Sequence, residues 1–142
     1  MDGYGQYCPL AKGAEVFAER WTPLILRELM WDIRCTVDAN ALPSFRTIVQ
    51  FLFTDLPAGS RSWWLVNEDG EVDLCPADPG DEAALQIRTT LRAMTRVWMG
   101  DLSVSAAQRG GQLTILGPRD LKRCLDSWLR LSPYAPIADA RL

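Results

Sequence analysis

The amino-acid sequence predicts an α+β fold: a five-stranded, mainly antiparallel sheet with helices packed on one face, preceded by an N-terminal helical segment. Three observations carry this reading. Between Thr47 and Arg88 apolar residues alternate in short runs separated by turn residues, the two-residue period of half-buried strands. At Leu91 the spacing changes to three and four, the period of a helix with one apolar stripe. One further alternating segment, Gln112 to Leu116, returns between two helical stretches. Strands that arrive in a block and give way to helices indicate segregated α+β architecture.

The first element expected is helical, Ala11 to Met30, where Ala14, Phe17, Trp21, Leu24 and Ile25 recur at helical spacing. Pro23 removes a backbone donor and crowds the preceding turn, so a break is expected near Arg20–Thr22, with Thr22 capping a second short helix. Asp38 to Arg46 is rich in turn formers and reads as a connection. Thr47 to Thr54 (TIVQFLFT) and Ser62 to Asn67 (SWWLVN) are β-branched and aromatic, and read as strands. Glu68-Asp69-Gly70 is a hairpin turn into a third strand, Glu71 to Cys75. Ala84 to Arg88 is the fourth strand. Leu91, Met94, Val97 and Trp98 form a helical stripe opened by Thr89 or Thr90 and ended by Gly100. Ser103 to Arg109 is a short helix, Gln112 to Leu116 the fifth strand, and Gly117-Pro118 starts a last helix with Leu121, Leu125, Trp128 and Leu129 on one face.

The bulk composition narrows the function. The chain has 142 residues, 48% of them hydrophobic, enough for one well-filled core but tight for two domains. A net charge of −3 without a basic stripe gives no overall attraction to phosphate backbones or anionic membranes. No run of apolar residues is long enough to span a bilayer, and Met1 to Pro9 has no signal-peptide texture, so a cytoplasmic location is expected. Cys8, Cys35, Cys75 and Cys124 are scattered and the chain has no histidine, so neither a metal nor another cofactor is expected.

Two stretches resemble known families. YCPLAKGAEVFAERWTPLILRELM, Tyr7 to Met30, resembles the opening of HxlR-type winged-helix regulators through Cys8-Pro9, Arg20-Trp21-Thr22 and Leu24 to Leu29. The remainder resembles the sterol-carrier-like domain fused to some of those regulators, through Trp63-Trp64-Leu65-Val66, Glu71 to Cys75, Leu91 to Asp101 and Gly111 to Arg119. The resemblance divides the chain into residues 1–30, a helical remnant of a winged helix, and residues 31–142, a sterol-carrier-like domain. A winged helix reads DNA with a recognition helix and a wing. Neither has a counterpart after Met30, so DNA binding by the usual geometry is not expected. The resemblance implies a small apolar or amphipathic ligand as partner, and a homodimer formed through the N-terminal helices.

Candidate residues follow from chemistry and resemblance together. Phe51, Phe53, Trp63, Trp64, Met94 and Trp98 are candidates for the walls of an apolar pocket between the sheet and the Leu91–Met99 helix, although each taken singly reads more readily as core than as ligand wall. Trp63 and Trp64, adjacent in a strand, must point to opposite faces, so one needs covering by the N-terminal helices or by a second chain. Cys8 precedes a helix, whose dipole favours the thiolate, and the regulator resemblance implies a redox role; an inert thiol is the alternative. Arg88, Arg92, Arg96 and Arg109 read as a solvated face, or as a site for a ligand's carboxylate. Without histidine there is no histidine general base, and Asp69, Glu71, Asp73, Asp78 and Asp81 accompany no nucleophile motif. The expectation is a ligand-binding or sensor module without enzymatic activity, with a DNA-acting dimeric regulator or a ligand-free interaction scaffold as alternatives.

Overall fold

The computed structural model describes residues 9–129; in the first helix, side chains are described at Thr22 and from Leu24 onward. Helix α1 (Pro9–Thr36) is continuous, where a break near Arg20–Thr22 and an end at Met30 were expected. A proline costs a helix one ladder bond and some crowding. Here packing outweighs that cost. Leu26, Leu29, Met30 and Ile33, spaced i, i+3, i+4 and i+7, are all buried against the sheet. At its end the Thr36 hydroxyl donates to the Ile33 carbonyl at 3.1 Å, and the Val37 N–H reaches the same oxygen at 3.0 Å.

A short 3₁₀ turn (Ala39–Ala41), whose first N–H groups are capped by Asp38, leads to the sheet. Its strands are β1 (Thr47–Phe53), β2 (Ser62–Glu68), β3 (Glu71–Cys75), β4 (Leu85–Thr89) and β5 (Leu113–Leu116), in the order β3-β2-β1-β4-β5. β1 is central. It pairs antiparallel with β2 and parallel with β4, while β2–β3 and β4–β5 are antiparallel. The β2–β3 turn places Asp69 at φ 51° and Gly70 at φ 81°, the left-handed pair that a tight hairpin requires. Gly117, at φ 150°, is required for space as well: a Cβ there would lie 2.7 Å from the Ala84 carbonyl oxygen.

The register sorts side chains into two faces. Val49, Phe51 and Phe53 of β1 align with Trp63 and Leu65 of β2 and with Leu85 and Ile87 of β4. This is the face that the helices cover. α2 (Leu91–Trp98) is capped by Thr90, whose hydroxyl accepts from the Ala93 N–H at 3.1 Å, and contributes Met94, Val97 and Trp98. α3 (Val104–Arg109) is capped by Ser103 and contributes Ala107. The expected last helix is two short ones, α4 (Arg119–Arg123) and α5 (Leu125–Trp128), because the backbone at Cys124 leaves the helical region. That bend turns Leu125, Trp128 and Leu129 into the core while leaving Leu121 half-buried.

Phe51 has no exposed surface and sits in the central strand, so Phe51→Ala is expected to cost about 3–5 kcal/mol in urea unfolding. Thr114→Ala, on the exposed face of β5, should stay within about 0.5 kcal/mol of the parent.

Candidate functional site

Helix α1 carries a second stripe beside the buried one. Leu24, Arg27, Glu28 and Trp31, again at i, i+3, i+4 and i+7, form one wall of a groove of about 700 Å³. The opposite wall is Trp63 of β2, Leu74 of β3 and Pro76 just beyond it. The groove therefore lies along the β2–β3 side of the sheet, between strand edge and helix. Leu24 and Trp31 are each 51% exposed, so the cleft opens to solvent.

Two polar contacts fix its aromatic rings. The Trp63 indole N–H donates to the Ser60 carbonyl at 3.3 Å, which holds the ring on its strand. The Arg34 guanidinium lies 4.7 Å from the centre of the Trp31 ring and 3.8 Å from the Asp73 carboxylate. Arg34 thus ties the end of α1 to β3. The walls are chiefly hydrocarbon and aromatic, with Arg27 and Glu28 supplying one cation and one anion to a ligand's polar end. Such a mixture suits an apolar molecule with a small polar group.

Of the six pocket candidates, Trp63 is in this groove. Phe51, Phe53 and Met94 are 0% exposed and fill the core between β1 and α2, where an open pocket was expected. Trp98 is buried at 8% exposure, its indole N–H donating to the Thr36 hydroxyl at 3.4 Å. Trp64 faces the other side of the sheet, as strand alternation demands, and pairs in register with Gln50. On that side Gln50, Gln86 and Arg88 form a hydrogen-bonded row: Gln86 donates to Gln50 at 2.8 Å and Arg88 to Gln86 at 2.6 Å. Arg88 therefore belongs to the sheet and does not share a helix face with Arg92 and Arg96.

Cys8 and the side chains of Phe17 and Trp21 lie outside the described residues; Cys35, Cys75 and Cys124 are free thiols. Among the described residues no cluster of potential metal ligands occurs. The acidic turn region is drawn together by Arg46, which donates to Glu68 at 3.2 Å and Asp81 at 3.0 Å. Those two hydrogen bonds, Glu68 first, hold its guanidinium above the ordinary arginine pKa. The Trp128 indole N–H is buried with no hydrogen-bond partner among the described residues.

Leu24, Arg27, Glu28, Trp31, Leu74 and Pro76 were not identified from sequence as site residues. The signal was present for the helix: the stripe begun at Leu24 continues with the same spacing to Trp31. With 5-fluorotryptophan incorporated, the Trp31 ¹⁹F resonance should shift on exchange of H₂O for D₂O, while that of Trp128, fully buried, should not.

No family model and no curated protein matches the chain, so the HxlR-type resemblance of residues 7–30 finds no support. Among the described residues α1 leads straight to the sheet, without a recognition helix or wing. No described helix is long and apolar enough to cross a membrane. Solved structures are similar. A ubiquinone synthesis protein, UbiJ-SCP2, aligns at 15% identity with a TM-score of 0.54, covering 86% of this chain and 99% of that one. The inverting sec-alkylsulfatase Pisa1 from Pseudomonas sp. aligns at 15% identity with a TM-score of 0.53, over 71% of this chain. The chain spans only 16% of that enzyme's length. With its five-stranded mixed sheet and helices on one face, the chain has the fold of sterol carrier protein 2-like domains.

Proposed function

We infer that the protein binds a small apolar or amphipathic molecule in the groove between α1 and the β2–β3 edge. The observation that carries this reading is the groove itself, about 700 Å³, walled by Leu24, Trp31, Trp63 and Leu74. Its size falls within the range of small-ligand clefts. The sterol-carrier fold supports a carrier or sensor role, and among the described residues this cleft offers apolar walls to a ligand. Binding covers rings that otherwise meet water, a gain of roughly 25 cal/mol per Å² of apolar surface removed. The reading requires no chemistry on the ligand: binding, not catalysis, is what these walls supply.

A second reading rests on a different observation. Leu24, Ile25 and Trp31 are all more than half exposed along α1. A second copy laid on this helix would cover them and leave the domain a dry scaffold.

Titration with a fluorescent fatty acid separates the two. The full chain should bind it saturably, and Trp63→Ala or Leu74→Glu should weaken binding about tenfold or more, since 1.4 kcal/mol suffices for a factor of ten. Absence of saturable binding, with a concentration-dependent dimer in sedimentation, would favour the scaffold.

A further inference from the structure

Charge is unevenly distributed along the chain. From Glu68 to Glu82 there are seven carboxylates and no lysine or arginine; from Arg88 to Arg123 there are six arginines and one lysine against two aspartates. The net charge of −3 conceals this segregation. Each of the three described ion pairs involves Arg34 or Arg46, so among the described residues the basic segment makes no ion pair.

Within that half, three cations converge. Arg119, Lys122 and Arg123 occupy positions i, i+3 and i+4 of α4 and therefore share one helix face. With Ser105 and Gln108 of α3 they line a concavity of about 320 Å³, separate from the groove. Val104, Ile115 and Leu125 line it as well. Like charges at these spacings repel and destabilise the helix that bears them. Asp120, the carboxylate of α4, does not line the concavity and makes no ion pair with any of the three.

We propose that this concavity is a binding site for a phosphoryl group, either free in solution or as a lipid headgroup. Two guanidinium groups and one ammonium offer the forked and point donors that suit a multiply charged tetrahedral oxyanion, and Ser105 and Gln108 add neutral donors. The ligand supplies the counter-charge that the chain withholds. This site is independent of ligand binding in the groove, since it shares no residue with it.

The test uses the full chain in two arms: amide NMR titration with inorganic pyrophosphate, and co-sedimentation with phosphatidylcholine vesicles with and without phosphatidic acid. Shifts confined to residues around Ser105, Gln108 and Arg119–Arg123 are expected, weakened roughly tenfold or more in R119Q/K122Q/R123Q. An R92Q/R96Q variant, which removes two exposed cations elsewhere, should bind as the parent does. Binding in the pyrophosphate arm alone assigns a soluble phosphorylated ligand, binding to acidic vesicles alone a lipid headgroup, and both a headgroup that the free anion mimics. No binding in either arm overturns the proposal. So does equal loss in the R92Q/R96Q control, which would reduce the effect to diffuse electrostatics. Should the triple variant fail to fold, K122E alone carries the comparison.

Discussion

The apolar face of β1 is the constraint on which the rest of the structure depends. This strand is the middle one of the five, paired antiparallel with β2 and parallel with β4, and its Val49, Phe51 and Phe53 belong to the buried core. Among the described helices, α1 with Met30 and Ile33, α2 with Met94, α3 with Ala107 and α5 with Trp128 join this core, all of these side chains fully buried. Two phenylalanines side by side in the sheet demand large partners above them. Met94 and Trp128 supply such volume, and all four side chains are fully buried in one cluster.

That filling decides where a ligand can go. Helix α1 is long enough to do two jobs, because its 3.6-residue period sets two stripes side by side. One, Leu26 to Ile33, closes the core; the other, Leu24 to Trp31, stands beyond the sheet edge and walls the groove. Arg34 links these jobs by lying over Trp31 and reaching Asp73 on β3. Both contacts are solvent-exposed on at least one side, so each adds little stability alone. Their effect is to orient the helix end, and the core stripe supplies the anchoring.

Much of this was legible in the sequence, and the exceptions have physical causes. The five strands, and the cap at Thr90 that was one of two candidates, follow local rules of alternation, turn chemistry and side-chain capping, so they fall within a residue or so of their expected positions. The continuity of α1 through Pro23 was not legible, because the local penalty at proline is overridden by tertiary burial two turns away. The parallel β1–β4 pairing joins residues 36 apart, Val49 with Leu85, across a connection that no local pattern encodes. For the aromatic residues, sequence fixed the opposite facing of Trp63 and Trp64, but not which face the helices would cover. Trp31 was missed because the helix was expected to end at Met30, and Leu24, Arg27 and Glu28, inside that helix, because the pocket was expected between the sheet and the Leu91–Met99 helix.

The central claim is that the cleft beside β3 holds an apolar molecule in the working protein. Native mass spectrometry of the chain purified from cells, compared with its denatured mass, tests this most directly. The account expects a non-covalent adduct that disappears on denaturation and is absent from a Leu74→Arg variant that retains the fold. A ligand-free spectrum dominated by a dimer would contradict it and identify the exposed stripe of α1 as a protein interface.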